Sequence, residues 1–323
     1  MHCLFKIIGI CLLLTACNRE AQHHFQGSAL GTYYSITYIG KEDKMLQNEI
    51  DSILDNLSKN VSIFDSTSTI SQINRNETVQ LNPDFVYIFK KAQEVSQQTK
   101  GAFDITIAPI VNLWGFGKEK SNDHIPQKAL DSILTFVSYT KVSVEHDRII
   151  KQDPRIQLNF NAIAKGYAVD KVATYLIQKG YSNCLVDIGG EVVSKGNKNG
   201  IPWKIGIQIP TESKDGAMEA DYTFELKERA VATSGNYRNY FEENGIRYSH
   251  IINPKTGRPE RSNLLSVSVI ADDCTTADAF ATAFMVLGIS QSLDIINRQP
   301  NLAAYFIYDE QGKFKTIKSP NFP

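Results

Sequence analysis

Apolar side chains recur along this chain with two periods, and each change of period marks a new element. Tyr34, Ile36 and Tyr38 alternate with Ser35 and Thr37, the mark of a half-buried strand. A glycine turn, Ser28 to Thr32, precedes it. From Met45 to Val61 the apolar positions become Leu46, Ile50, Ile53, Leu54, Leu57 and Val61, which share one face of a helix. Ser66 to Asn76 is polar and predicts a loop. The next helix is punctuated at both ends, by Asn82 as N-cap with Pro83 in the first turn and by Gly101 beyond the last. A further helix is expected over Gln127 to Phe136, then strands at Val142–Val144, Arg148–Ile150 and Ile156–Phe160.

The strand ending at Phe160 runs over the small-residue turn Ala162 to Gly166 into a helix whose apolar positions are Val169, Val172, Ala173 and Leu176. Such a junction leaves several backbone N–H groups unpaired at one point, which suits an anion and a phosphate above all. Lys165 stands where it could add a charge-assisted bond. A packed junction with a solvated lysine is the other reading.

Past Gly180, Cys184 to Ile188 reads as a buried strand meeting Gly189-Gly190, where backbone can approach a ligand or form a bulge. Trp203 to Ile209 and Tyr222 to Leu226 alternate cleanly, with a polar excursion from Thr211 to Ala220 between them. Another strand breaks at Ser234-Gly235. Asn244-Gly245 then turns a hairpin whose returning strand carries His250, either a hydrogen-bonded core residue or a base. Leu265, Val267 and Val269 lead into a helix with Thr275 as N-cap, Asp278 three residues on and Gly288 as its end. Asp278 and Thr282 share one helix face. A carboxylate and a hydroxyl so placed offer hard oxygen ligands of the kind Mg²⁺ takes; a capping carboxylate beside a solvent-facing threonine is the bland alternative. Asp104 is a lone carboxylate in the apolar run Ala102 to Gly117, either capping the helix that Pro109 starts or holding a ligand group. Trp114 and Phe116 make an aromatic loop there. The chain closes in a hairpin around Glu310-Gln-Gly312. Strands and helices mix without strict alternation, which points to α+β or an irregular α/β fold.

The 323 residues, 42% of them apolar, suffice for a sizeable core and exclude disorder. With 34 basic and 35 acidic residues, the chain has no basic excess for nucleic acid. Lys6 and the apolar run Ile7 to Leu14, too short to span a bilayer, read as an export signal over residues 1–16. Leu14-Thr-Ala-Cys17 resembles a bacterial lipobox. That implies cleavage before Cys17, a lipid on Cys17, a tether over 17–24, and a protein held on the periplasmic side of a membrane. Nothing later in the chain reads as a spanning helix. Cys184 and Cys274 lack zinc-site spacing; a disulfide and two buried thiols both remain open.

Six internal stretches, together with the lipobox, resemble the ApbE family of FAD:protein FMN transferases. They are Phe103 to Gly117, Ala164-Lys-Gly-Tyr-Ala-Val-Asp170, Val186-Asp-Ile-Gly-Gly-Glu191, Ala232-Thr-Ser-Gly-Asn-Tyr237, His250 to Pro259 and Thr276-Ala-Asp-Ala-Phe-Ala-Thr282. Each is weak alone, but they run in family order across nearly the whole mature chain. The resemblance implies a T-fold-like α+β domain over 25–323 with FAD in a cleft, Mg²⁺ on the pyrophosphate, and transfer of the FMN half to a threonine or serine hydroxyl with release of AMP. It implies metal contacts from the side chains of Asp278 and Thr282 and the backbone carbonyls of Ala162 and Ala281. It places Leu30, Phe64, Ala102, Phe103, Asp104, Asn159, Lys165 and His250 at FAD, with His250 as the candidate base. Asn159 stands where the family commonly has aspartate, and Leu30 where methionine is frequent. The acceptor is expected to be a separate exported protein, a redox-pump subunit or an FMN-binding domain. Two other outcomes compete with transfer: Mg²⁺-dependent hydrolysis of FAD to FMN and AMP, and FAD binding without turnover.

Overall fold

The computed structural model describes residues 20–116, 125–208, 220–236, 240–243, 246–249, 251–260 and 262–323. In chain order, β1 (Gln22–Ala29) and β2 (Thr32–Ile39) form a hairpin, followed by helices α1 (Leu46–Val61), α2 (Thr69–Asn74), α3 (Pro83–Gln98), α4 (Ala108–Leu113) and α5 (Gln127–Leu134). A small hairpin of β3 (Val142–Glu145) and β4 (Arg148–Lys151) leads to α6 (Ala164–Gln178), β5 (Cys184–Ile188) and β6 (Glu191–Lys195). Then come β7 (Trp203–Gln208), β8 (Ala220–Leu226), β9 (Ala230–Gly235), β10 (Tyr240–Glu243), β11 (Ile246–Ser249), β12 (Ile252–Asn253), β13 (Arg258–Pro259) and β14 (Leu264–Ala271). Helix α7 (Cys274–Ile296) and the hairpin β15 (Ala303–Glu310) and β16 (Lys313–Lys318) complete the fold.

Eight strands form one sheet in the order β1-β2-β5-β6-β9-β14-β15-β16, antiparallel at every pairing. Alternate residues point to opposite faces, and the two faces pack different layers. Tyr34, Ile36, Val186, Ala230, Ala232, Val267 and Val269 join the helices in the main core. Val231, Ile270, Tyr305 and Ile307 face the other way and pack against Ile207, Phe224 and Leu226 of the β7–β8 hairpin. This is the α+β architecture expected. Helix α7 is apolar all round because it is enclosed: it packs on β9 and β14 on one side and on α6 and α3 on another. Its length and mean hydropathy of 1.6 would suit a membrane span, contrary to the expectation that no mature segment would. However, helical geometry breaks at Gly288 (φ 73°), and Phe280 and Phe284 are core residues.

Several expectations are corrected. The tether drawn over 17–24 ends sooner, since Gln22, His23 and His24 already pair with Ile39, Tyr38 and Thr37. The polar segment 66–76 contains α2, capped by Ser68 and anchored by buried Ile70 and Ile73. Ile156, Leu158 and Phe160 are fully buried, yet the segment makes only a single bridge, Gln157 to Ile107, instead of a strand. Asp273, not Thr275, caps α7, accepting from Thr276 N–H. Cys184 and Cys274 are free and buried, and burial pushes the Cys184 thiol up to about 12. Cys17, the turn Asn244-Gly245 and His250 lie outside the described residues.

Candidate active site

The site begins where α6 and α7 start. Gly166 lies so close to α7 that a Cβ there would sit 2.3 Å from the Cys274 carbonyl oxygen and 2.8 Å from the Asp278 side chain. That close approach lets the two helix starts exchange carboxylates. Gly166 N–H donates to Asp278 Oδ2 at 2.9 Å. In return, Asp170 Oδ1 accepts from Cys274 N–H at 2.8 Å, and its Oδ2 accepts from the Thr275 N–H at 2.8 Å and the Thr275 hydroxyl. The N–H at Gly166, expected to be open to a phosphate, is therefore engaged by a carboxylate of the chain itself.

Lys165 projects from the first turn of α6 between two more carboxylates. Its Nζ donates to Glu191 Oε1 and stands 4.0 Å from Asp278 Oδ1, beyond hydrogen-bond reach. Glu191 follows the Gly189-Gly190 turn of the β5–β6 hairpin, where φ values of 67° and 100° favour glycine. Burial pulls the Lys165 pKa down, but Asp278 and Glu191 outweigh it and hold the ammonium above its ordinary range. Burial drives Glu191 the other way, up to about 8, despite the opposing lysine. Glu191 is 2% exposed, and its Oε2 has no hydrogen-bond partner among the described residues.

These groups line a cleft of about 950 Å³, at the upper end of what small-ligand sites span. Ala102, Phe103, Asp104, Asn159, Ala162, Lys165, Asp278 and Thr282 all face it. Thr282 is hydrogen-bonded to the Ser234 hydroxyl at 3.0 Å. Asp104 does not cap α4. Its Oδ1 accepts from Thr106 N–H at 2.8 Å and the Thr106 hydroxyl at 2.7 Å, and its Oδ2 from Tyr139 N–H at 2.7 Å. Burial nonetheless raises its pKa against those bonds. Asn159 Oδ1 accepts from Asn161 N–H at 2.8 Å, so both residues shape the wall as well as face the cleft. The Trp114 indole N–H is fixed to the Gly257 carbonyl at 2.7 Å, whereas Phe116 lines the cleft.

Three expected site residues stand apart from it. Leu30 sits at the β1–β2 turn with φ 52°, Phe64 is 65% exposed and Ala281 is fully buried; none lines the cleft. Ile251, Ile252 and Pro254, the chain neighbours of His250, do. Glu191, Asp187 and Ser234 carry no role in the sequence reading, although Asp187 and Glu191 flank the double glycine that signals a close backbone turn. Asp187 Oδ1 holds that turn by accepting from Gly190 N–H at 2.8 Å.

A hard cation fits this donor set. Asp278 uses one carboxylate oxygen on Gly166, and Thr282 and Ser234 add hydroxyls beside it. Two carboxyl groups, Glu191 and Asp278, share one ammonium on this largely buried floor, so a cation would stabilise the ionised form of both. No cluster of three His, Cys, Asp or Glu occurs among the described residues, so a cation held here would take most of its ligands from water or a bound phosphate.

The chain resembles known proteins in both sequence and fold. The model of the ApbE family matches residues 30–306. The FAD:protein FMN transferase of Vibrio cholerae is 36% identical over 321 residues, covering 96% of this chain and 95% of that protein. That of Haemophilus influenzae is 35% identical, covering 98% and 95%. The crystal structure of Pseudomonas stutzeri flavinyl transferase ApbE, apo form, superposes with a TM-score of 0.85 at 32% identity, covering 94% of this chain and 96% of that one. By its sequence over nearly its full length and by its fold, the chain belongs to the ApbE family.

Proposed function

We propose that the cleft transfers the FMN half of FAD, with Mg²⁺, to a threonine or serine hydroxyl of a separate exported protein and releases AMP. The observation that carries this reading is the cleft floor, where Asp278 keeps an oxygen free of backbone bonds among the described residues, beside Lys165 and Thr282. The relatives from Vibrio cholerae and Haemophilus influenzae are FAD:protein FMN transferases, and the cleft volume suits a dinucleotide. In the reaction the acceptor oxygen forms a bond to the flavin-side phosphorus, the P–O bond to the AMP half breaks, and the hydroxyl proton passes to a base.

Asp278 and Thr282 would hold the metal through side-chain oxygens, with Ala162, which also lines the cleft just before α6, offering its carbonyl. When bound, Mg²⁺ supplies charge neutralisation on the phosphoanhydride oxygens. Lys165 binds phosphate in the same region. Asp104 and Asn159 keep the walls rigid through their turns, and the apolar side chains of Phe103 and Phe116 offer surface to a planar ring. His250 is proposed as the base, because a histidine can be neutral and proton-accepting near pH 7. The lipobox at Cys17 extends the reading to a lipid-anchored protein acting on the periplasmic side. Cys17→Ser should then leave the protein soluble or uncleaved, and membrane retention of that variant after signal removal would count against the anchor.

The test uses the chain without residues 1–19, incubated with FAD, Mg²⁺ and a candidate acceptor. Flavin fluorescence on the acceptor band of a denaturing gel, with AMP released in equal amount, supports transfer. Free FMN with AMP and no flavin on protein points to hydrolysis, and unchanged FAD to binding alone.

A further inference from the structure

We propose that Glu191 is a positioning residue: it holds the Lys165 ammonium away from Asp278 and so keeps that carboxylate available to a cation. The inference rests on the metal reading of Asp278. Three elements meet at this point. Lys165 comes from α6, Glu191 from the far side of the β5–β6 turn, and Asp278 from α7. Lys165 has two carboxylates within reach of its long side chain, yet it is hydrogen-bonded to Glu191 and stands 4.0 Å from Asp278. Without Glu191, the remaining carboxylate is Asp278, and an ammonium in contact with it would occupy the ground a metal ion needs.

The burial of Glu191 has no other evident purpose in the fold. It is 2% exposed, one oxygen is committed to Lys165, and the other has no partner among the described residues. A buried ion pair contributes little net stability compared with apolar packing of the same volume, so fold stability alone gives no reason for this arrangement. The Gly189-Gly190 turn delivers Glu191 to the cleft, and a Cβ on Gly189 would press on Thr32 at 2.9 Å. The hairpin is thus built to place this carboxylate opposite Lys165.

The test is a double-mutant cycle read by metal binding. Free Mn²⁺, a paramagnetic stand-in for Mg²⁺, is counted by electron paramagnetic resonance in titrations of wild type, Glu191→Gln, Lys165→Met and the double variant. Glu191→Gln should weaken Mn²⁺ binding on the order of tenfold, because Lys165 then closes on Asp278 and opposes the ion at short range. Lys165→Met should tighten it by removing the competing cation. In the Lys165→Met background, Glu191→Gln should change affinity by less than about threefold, since its effect runs through the lysine. A full-sized Glu191 effect in that background would overturn the proposal, because Glu191 would then act on the ion directly. Unchanged affinity in Glu191→Gln, or weaker binding in Lys165→Met, would also overturn it. Should Glu191→Gln fail to fold, Glu191→Met, which puts an apolar side chain of similar length in the buried position, takes its place in the same cycle with the same outcomes. Wild type that binds no Mn²⁺ would remove the metal reading itself, a different outcome from wild type that binds while the variants match it.

Discussion

Two helices start side by side in this protein, and each takes a carboxylate from the other. At the start of α7, Asp170 meets three donors with its two oxygens, and both oxygens are spoken for. At the start of α6, Asp278 meets one backbone donor with one oxygen, and its other oxygen looks across 4.0 Å at Lys165 on the floor of the cleft. The chemistry is the same in both places, an anion on a helix N-terminus. What differs is saturation. A carboxylate whose lone pairs are all used by the fold is a lock, and one with an oxygen left over in a polar cleft is a site.

Substitution separates the two roles. Asp278→Ala should reduce Mg²⁺-dependent transfer by at least about 10³-fold, given the several kcal/mol of charge stabilisation a catalytic metal provides, while the loss of one bond to Gly166 costs only about 1 kcal/mol of stability. A lower melting temperature with an unchanged rate would make Asp278 a second lock. His250→Ala should lower the transfer rate about 10²–10⁴-fold at neutral pH with FAD affinity unchanged, whereas Lys165→Ala should weaken FAD binding measured by fluorescence quenching. If both lose FAD equally, the histidine is a binding residue.

At the other junction the expected damage is to the fold. Asp170→Ala leaves three donors at the α7 start without their acceptor and should lower unfolding free energy by about 3 kcal/mol in a urea titration, with kcat of the surviving folded protein near wild type. The finest distinction is in pH. Burial raises the Asp170 carboxyl from 3.8 to about 6, so the protonated form is favoured in the folded state. Its contribution to stability is therefore full below about pH 4, is lost as pH rises through about 6, and is level above. Asp170→Asn should flatten that part of the melting temperature profile between pH 4 and 8. An unchanged slope would show that the carboxyl is not buried as described.

Much of this was legible in sequence where one element carries its own signal. The alternation of Tyr34, Ile36 and Tyr38, the face of α1, and the Asn82-Pro83 cap all appear as read. Asp278 and Thr282 could be paired by helix spacing alone. Elements without such a signal escaped. Strand β1 is a mostly polar edge strand, with its residues exposed or half-buried in alternation, and α2 has only Ile70 and Ile73 to mark its buried side. The alternation at Ile156, Leu158 and Phe160 reports burial correctly but cannot supply a pairing partner. The junction itself was beyond reach for another reason. Asp170 and Thr275, or Gly166 and Asp278, are more than a hundred residues apart, and only the close packing allowed by Gly166 makes them neighbours. Glu191 carries no signal of its own, because nothing local says that a glutamate after a glycine pair will turn inward to a lysine.

The contrast between site and lock is tested most directly by Mn²⁺ titration of wild type, Asp278→Asn and Asp170→Asn under one set of conditions. Both variants keep side-chain shape and lose one carboxylate charge at a helix start. The account predicts that Asp278→Asn abolishes binding and Asp170→Asn leaves the affinity within about threefold of wild type, because both Asp170 oxygens are engaged at the α7 start and only its charge, about one helix turn away, reaches the ion. Equal losses in the two variants, or full binding by Asp278→Asn, would contradict it.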